Sequence, residues 1–304
     1  MAQVGPIPSI DLSMLSQGAS ATDRLAAELD RACAEFGFFY LVGHGIEAAL
    51  VASLMQLSRE FFARSAEEKL RIHMSKGGRA WRGYFPVGQE LTSGIPDRKE
   101  GIYFGSELSE EDPRVRNGLP LHGRNQFPEL PGFGSAVLSY ISALTELGHR
   151  LLAVLGRGLG CGANFFAEHY TGDPTILFRI FNYPGFDDAG THPVQQGSWS
   201  VGEHTDYGLL TLLAQDSIGG LQVRNGERWI DVPEVPGSLV CNVGDMLERL
   251  TRGRYLSALH RVRNSTERNR LSMALFFDPG FDAEMMPIPD VQPQPGSKDR
   301  KSVV

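Results

Sequence analysis

A histidine and an aspartate stand one residue apart in the segment SVGEHTDYGLLTLLAQ (201–216), where a polar stretch gives way to leucines. Successive side chains of a β-strand point to opposite faces, so His204 and Asp206 would share one face while Thr205 points away. Imidazole and carboxylate are both good ligands for a transition metal. A third ligand is expected on a later strand, and His260, in the run SALHRVRN, is the candidate.

Two imidazoles and one carboxylate on one face of an iron ion leave three positions open, which is the arrangement of non-haem Fe(II) oxygenases. A single histidine or aspartate near a strand end is more often a surface or hydrogen-bonded residue, so these three need independent support. The run RNRLSMALFFDP (268–279) offers it. Arg270 and Ser272 share a strand face by the same alternation, and an arginine beside a hydroxyl is suited to binding a carboxylate. The alternative is an exposed strand arginine.

The elements that must position these residues fall into two groups. Before residue 174 the pattern is mainly helical. It predicts four helices: one capped by Thr22 and ended by Gly37, one at 46–63, one begun by the Ser65/Glu68 capping box and one at 134–160. It also predicts a strand at 38–42 and a long loop at 77–105. After residue 174, short β-branched and aromatic runs predict strands at 175–183, 209–214, 219–224, 228–232, 238–243, 258–263 and 269–277. Strands at such close spacing are typical of a sandwich or jelly roll.

The sequence therefore predicts an α+β protein. A double-stranded β-helix (jelly roll) at 175–291 forms the core, and a mixed helical and β region at 1–174 packs on it as a helical N-terminal shell. The Pro-led polar tail at 292–304 is predicted to be mobile. A chain of 304 residues is long enough to bury a core of ordinary size.

Composition narrows the classes of partner and compartment. A formal net charge of -7 argues against general affinity for nucleic acid or for anionic membranes, both of which attract positive fields. The apolar runs are too short to span a bilayer, and the N-terminal residues lack the pattern of a secretion signal. Three widely spaced cysteines fit reduced thiols better than disulfides, so a cytoplasmic protein is expected.

Several motifs together resemble one protein family. The runs GEHTDYGLLTLLAQD, GGLQV, NVGDMLERLT, ALHRVRN and RLSMALFFDP, with GFFYLVGHGI and KEGIYFG earlier in the chain, resemble the Fe(II)/2-oxoglutarate-dependent dioxygenases of the isopenicillin N synthase-like superfamily. The resemblance extends over roughly residues 6 to 290 in a single order. It implies a jelly-roll oxygenase that uses Fe(II), 2-oxoglutarate and O₂.

The resemblance also assigns roles to particular residues. It implies that iron is bound by His204, Asp206 and His260, and that Arg270 and Ser272 hold the distal carboxylate of 2-oxoglutarate. Tyr183, in FRIFNYPG, matches the tyrosine of the family's YP motif and would help to hold the same carboxylate. The sequence departs from the plant-type NYYP pattern and is more similar to bacterial and fungal members, so plant hormone and flavonoid substrates are disfavoured.

The implied reaction oxidises, by default hydroxylates, a small molecule through a ferryl species while 2-oxoglutarate is converted to succinate and CO₂. One alternative is an Fe(II) oxidase or cyclase of the same fold that does not use 2-oxoglutarate, and a second is a non-catalytic ligand-binding relative. A zinc hydrolase is disfavoured because the chain has no HExxH motif.

Candidate substrate residues follow from strand alternation and from the family pattern. Arg179 and Phe181 share a face with Tyr183, and Arg179 would meet either a substrate carboxylate or a buried acid of the N-terminal shell, because an unpaired buried guanidinium is costly. The first possibility makes the substrate an amino acid or another organic acid. The remaining candidates near the substrate are Val262, Phe276, Trp81 and Tyr84, each of which could equally be a packing residue. No pattern in the sequence predicts an oligomeric state.

Overall fold

The computed structural model describes residues 7–185, 199–264, 266–289 and 291–292. Two β-sheets face each other across a cluster of buried side chains, and a second, larger cluster lies between the larger sheet and the helices. This is the jelly roll with a helical shell that the sequence predicted. Of the tail predicted to be mobile, 292–304, all but Gln292 lies outside the described residues.

Fourteen strands are present in the described part of the chain: β1 (Ser9–Asp11), β2 (Phe38–Val42), β3 (Gly83–Phe85), β4 (Leu91–Thr92), β5 (Ile95–Pro96), β6 (Glu100–Gly105), β7 (Thr175–Tyr183), β8 (Val201–His204), β9 (Leu210–Gln215), β10 (Leu221–Asn225), β11 (Arg228–Asp231), β12 (Leu239–Val243), β13 (His260–Val262) and β14 (Arg270–Asp278). The larger sheet has the order β1-β2-β12-β9-β14-β7-β6-β3, and the smaller sheet has the order β11-β10-β13-β8. Strands β4 and β5 form a separate hairpin.

The helices of the described residues are α1 (Ala19–Glu35), α2 (Ala48–Phe62), α3 (Ala66–Leu70), α4 (Pro113–Arg116), α5 (Phe133–Gly158), α6 (Phe165–His169) and α7 (Asp245–Leu250). Short 3₁₀ turns occupy Leu12–Gln17, Met74–Lys76 and Gly78–Ala80. Helices α1 and α2 both pack on α5, which in turn contacts β7, β9 and β14. No helix of the described residues has the length and apolarity needed to cross a membrane.

Strand β14 is buried on both faces, and this dictates its sequence. Alternate side chains face the helices and belong to the large apolar cluster: Leu271, Met273, Leu275 and Phe277. The intervening side chains line a cavity between the two sheets: Arg270, Ser272, Ala274, Phe276 and Asp278. The period of two carries only apolar residues to the helices, and it brings the polar residues Arg270, Ser272 and Asp278 to the cavity together with Ala274 and Phe276.

Helix α5 approaches this sheet closely at one glycine. A Cβ atom added at Gly148 would overlap the ring of Phe277, which is fully buried in β14. The ring of His149 packs edge-on against the same phenylalanine, with ring centroids 5.0 Å apart. The absence of a side chain at position 148 therefore sets how near the helix lies to the sheet.

The predicted elements agree with the structure apart from two corrections. Helix α1 begins at Ala19, after Gly18, and Thr22 is not its cap. The Thr22 hydroxyl instead donates to the Gly18 carbonyl four residues earlier, as threonine does inside a helix. Residues 77–105 are not a loop throughout, because they contain β3, the β4–β5 hairpin and β6. The domain boundary at residue 174 remains a prediction.

Replacing Gly148 with alanine is expected to destabilise the protein. Alanine favours a helix by up to about 1 kcal/mol over glycine, but forcing a methyl group against a packed ring costs about 1–3 kcal/mol. Denaturant unfolding followed by circular dichroism would show a lower unfolding free energy for Gly148→Ala. The control is Ser142→Ala, at an exposed position of the same helix, which should change stability little. A stabilised Gly148→Ala protein would contradict the packing described.

Candidate metal and carboxylate site

A cavity of about 1010 Å³ lies between the two sheets and is partly open to solvent. Strands β7, β9 and β14 of the larger sheet form one wall, and β8, β10 and β13 of the smaller sheet form the other. Charged residues are concentrated in it, although a jelly-roll interior is normally apolar. All three predicted metal ligands and both predicted residues of the carboxylate site in β14 line this cavity.

His204, Asp206 and His260 come together at the cavity wall. His204 ends β8 and lies opposite His260, the first residue of β13, with ring centroids 4.2 Å apart. One potential ligand atom from each of the three residues lies within 4.8 Å of the other two. The sequence argument assumed that His204 and Asp206 lie on one strand, so that alternation places both on the same face. Asp206 in fact lies beyond the end of β8, so alternation does not account for its position. The turn that follows the strand brings its carboxylate beside His260, with Oδ1 3.7 Å from Nε2.

Hydrogen bonds orient each of these three side chains. Asp206 Oδ2 accepts from Thr211 Oγ1 at 2.6 Å and from Asn242 Nδ2 at 2.7 Å. The Nδ1 atom of His204 lies 2.9 Å from the Gly202 carbonyl oxygen, and that of His260 lies 3.1 Å from the Ala258 carbonyl oxygen. A carbonyl can only accept, so each Nδ1 carries the proton and each Nε2 keeps a free lone pair.

Electrostatics also favour ligation of a cation here. Burial, together with the nearby imidazole of His260, lowers the pKa of His204 to about 4. Burial opposes the charge on Asp206, but the two imidazoles and the hydrogen bonds from Asn242 and Thr211 outweigh it and lower the pKa of this carboxyl. At neutral pH, therefore, His204 is a neutral nitrogen donor and Asp206 is an anionic oxygen donor, as metal binding requires.

Arg270 lies across the cavity on β14, and its guanidinium is buried and fixed. Its Nε donates to the Gly219 carbonyl at 2.7 Å and its Nη2 to Gln215 Oε1 at 3.0 Å. Among the described residues, Nη1 has no acceptor although it is buried. The hydroxyls of Tyr183 and Ser272 lie 3.4 Å apart, and Tyr183 is the cross-strand partner of Arg270. One charged donor without a partner and two hydroxyls fit a carboxylate group.

Arg179 lies in the same wall, on β7, between two aromatic rings. The guanidinium carbon is 4.3 Å from the centroid of the Tyr103 ring and 4.8 Å from that of Phe276. Its Nε is buried and has no acceptor, and no carboxylate of the described residues lies within 4.0 Å of the guanidinium. Burial lowers the pKa of Arg179, while Glu90, Asp206 and Asp278 oppose that shift from a distance.

The cavity also contains most of the other residues predicted to lie near a substrate. These are Phe181, Val262, Phe276 and, at the mouth, the half-exposed Trp81. Tyr84 is the exception and is a correction. Its side chain points from β3 towards the helices, packs on Phe61 and donates to Glu100 Oε2 at 2.6 Å. Position 84 faces away from the cavity because Tyr84 pairs with Ile102 on the helix-facing side of β6.

Two features of the site were missed in the sequence. Lys99 is buried in the cavity wall, with Nζ 2.8 Å from Asp97 and 3.0 Å from Glu90 of the β4–β5 segment. Its partners could not be predicted because they depend on how the hairpin folds back. Asp278 ends β14 and lines the cavity. The signal for it was present, since position 278 has the same parity as 270 and 272.

Comparison with known proteins agrees with this geometry. Residues 7–130 match the family described as non-haem dioxygenase in morphine synthesis N-terminal, and residues 176–279 match the 2OG-Fe(II) oxygenase superfamily. A Dictyostelium discoideum protein named probable iron/ascorbate oxidoreductase is 46% identical over 277 residues, which cover 85% of this chain and 76% of that protein.

Two further relatives have names that state a substrate. The 1-aminocyclopropane-1-carboxylate oxidase of Dictyostelium mucoroides is 36% identical and covers 93% of this chain and 84% of its own length. The homoarginine-6-hydroxylase of Glycine max is 38% identical, and the match covers 93% of this chain and 88% of that protein.

The crystal structure of a full-length Neurospora crassa protein in complex with alpha-KG superposes with a TM-score of 0.81 at 28% identity, covering 93% of this chain and 88% of that chain. The chain belongs to the 2OG-Fe(II) oxygenase superfamily and is an oxidoreductase whose cofactors are Fe(II), 2-oxoglutarate and O₂.

Proposed function

We propose that the protein hydroxylates a small carboxylic acid, an amino acid or another organic acid, whose carboxylate is bound by Arg179. The observation that carries this proposal is a guanidinium inside the oxygenase cavity that has no carboxylate within 4.0 Å among the described residues. A buried unpaired cation is costly, and a carboxylate is the group that a guanidinium binds best.

The metal ligands proposed are His204, Asp206 and His260. Their donor set of two imidazoles and one carboxylate suits Fe(II) and leaves positions for other ligands. Asp206 presents Oδ1 to the imidazoles while its Oδ2 is engaged by Thr211 and Asn242. Such hydrogen bonds behind a ligand hold it in place and tune its basicity.

The proposed anchor for 2-oxoglutarate is the set of Arg270, Ser272 and Tyr183. The free Nη1 of Arg270 and the two hydroxyls face the cavity from neighbouring strands. Holding the distal carboxylate there orients the keto-acid end towards the metal ligands. Fe(II), O₂ and 2-oxoglutarate would supply the oxidising chemistry: O₂ is the oxidant, one of its oxygen atoms enters succinate as the keto acid loses CO₂, and the other enters the substrate. The protein contributes orientation and a cavity recessed from bulk water.

The structural alternative for Arg179, an ion pair with an acid of the N-terminal shell, has weaker support. The acid of that shell with the strongest influence on its pKa is Glu90, and Glu90 is already paired with Lys99 at 3.0 Å. The rings of Tyr103 and Phe276 hold the guanidinium in position without neutralising it. The relatives named for 1-aminocyclopropane-1-carboxylate and homoarginine act, by those names, on carboxylic acids.

Replacing His260 with alanine should abolish iron binding and turnover without unfolding the protein. Anaerobic addition of Fe(II) and 2-oxoglutarate to the unmodified protein should give a visible charge-transfer band that His260→Ala lacks. His169→Ala, which removes an exposed histidine on α6, should behave as the unmodified protein does. Undiminished turnover in His260→Ala would rule out the proposed metal site.

Replacing Arg270 with leucine should weaken 2-oxoglutarate binding. Losing one partner of a buried, charged hydrogen-bonded pair costs about 2–5 kcal/mol, which is roughly 30- to 5000-fold in affinity. Titration of the charge-transfer band should show this loss, while Fe(II) binding is retained. Arg270→Lys keeps the charge but not the forked geometry, so its affinity for 2-oxoglutarate should lie between those of the unmodified protein and Arg270→Leu. An unchanged KM for 2-oxoglutarate would favour the alternative of an oxidase that does not use the keto acid.

Replacing Arg179 with glutamine should raise the KM for the substrate strongly and leave thermal stability near that of the unmodified protein. Removing a buried charge that has no close partner does not strand an acid, so the melting temperature should not fall. Substrate-independent decarboxylation of 2-oxoglutarate should also persist. Arg24→Gln, on the exposed face of α1, is the control. A large fall in melting temperature, or an uncharged substrate used equally well by both proteins, would leave Arg179 only a structural role.

A further inference from the structure

Asp278 is a charged residue of the cavity wall that the proposed reaction does not use. It is the last residue of β14 and faces the cavity with Arg270, Ser272 and Phe276. Arg179 faces the same cavity from β7, the neighbouring strand, where it pairs with Ala274. The two strands thus bring a carboxylate and a guanidinium to one wall.

Asp278 and Arg179 do not form an ion pair with each other. No ion pair joins Asp278 to Arg179, or to any other cation of the described residues, within 4.0 Å. Within the described part of the chain, Asp278 Oδ1 is buried without a hydrogen-bond donor, just as Arg179 Nε is buried without an acceptor. Burial raises the pKa of Asp278 to about 7, against the opposing influence of Arg179. Both side chains line the same cavity, so a ligand bound there could contact both of them.

We propose that Asp278 binds a cationic group of the substrate whose carboxylate is bound by Arg179, so that the substrate is a zwitterion such as an amino acid. The carboxylate half of this proposal rests on the proposed function, and the cationic half rests on Asp278 alone. An ammonium or a guanidinium group on the substrate would supply a donor to Oδ1, which has none among the described residues.

A purely structural role does not require an ionisable group at this position. Asp278 packs on Gly208, where an added Cβ atom would overlap its carboxylate, and the backbone N–H of Leu209 lowers its pKa. The side chain therefore braces the turn after Asp206. A neutral asparagine could accept from the same N–H, however, and would avoid the cost of a buried charge.

The test compares ligands that differ only in their cationic group. The probes are L-α-amino acids, homoarginine included, and the matched carboxylic acids that lack the amino group or the guanidinium group. Binding is measured anaerobically as the change in the charge-transfer band of the protein loaded with Fe(II) and 2-oxoglutarate. We expect at least one cation-bearing acid to bind, and its counterpart without the cation to bind at least about 30-fold more weakly.

The variant Asp278→Asn then tests whether Asp278 is responsible for the tighter binding of the cation-bearing acid. The variant should lose most of the difference between the two ligands of the matched pair, with the affinity for the acid without the cation unchanged and the melting temperature maintained. Asp282→Asn, at an exposed position four residues on, should keep the preference. Removing the α-amino group and the guanidinium group separately shows which cation Asp278 contacts.

Each other outcome overturns a defined part of the proposal. A preference that survives in Asp278→Asn, or a panel in which no cation-bearing acid binds, would overturn the role of Asp278. If acids without a cation bind as well as those with one, and Arg179→Gln weakens their binding, the proposed function stands but the zwitterionic substrate is ruled out. If only uncharged molecules bind, both the proposed function and the zwitterionic substrate are ruled out.

Discussion

The larger sheet is buried on both faces, and the rest of the structure depends on this constraint. One face of β14 and β7 must supply apolar side chains to the helices, and the other lines a cavity recessed between the two sheets. A charge on the cavity face must therefore find a partner in the protein or in a ligand. Lys99 forms ion pairs with Glu90 and Asp97, whereas Arg179 Nε and Asp278 Oδ1 have no hydrogen-bond partner among the described residues.

The residues of the proposed metal and carboxylate sites are oriented largely by backbone groups and neutral side chains. Carbonyls of Gly202 and Ala258 set the two histidine rings, and Thr211 and Asn242 occupy one oxygen of Asp206. These neutral partners orient the ligands without competing for the charge of a bound cation. Stability of the sheet and orientation of the ligands are thus separate tasks, the first carried out by the face that packs on α5 and the second by the face that lines the cavity.

Much of this arrangement could be predicted from the sequence. Short β-branched and aromatic runs placed the ends of the strands predicted from residue 175 onwards to within two residues. Alternation of side chains along a strand placed Arg270 and Ser272 together in the cavity. It did not place Asp206, since a turn and not a strand carries that residue to His260.

Other features depend on contacts between distant segments, which no local pattern reveals. Tyr84 and Phe85 are adjacent aromatic residues, and only the pairing of β3 with β6 decides that Tyr84 faces the helices. The partners of Lys99 lie on the β4–β5 segment, whose path over the cavity is a tertiary property. The beginning of α1 was misplaced because the Thr22 hydroxyl can cap a helix or bond within one, and its sequence does not distinguish the two.

For the proposed 2-oxoglutarate anchor, the way in which Arg270 is held limits the keto acids that the protein can accept. Gly219 and Gln215 grip its guanidinium, and Gln215 is itself tied to the Val232 carbonyl at 2.8 Å. The histidines at the other end are equally tied to their own backbone neighbours. Because hydrogen bonds hold both ends in place, the distance between them limits the length of the keto acid that can reach both. A 2-oxo diacid that is one methylene too short or too long can satisfy one end only, so the cavity would select its keto acid by length, without any contact to the middle of the molecule.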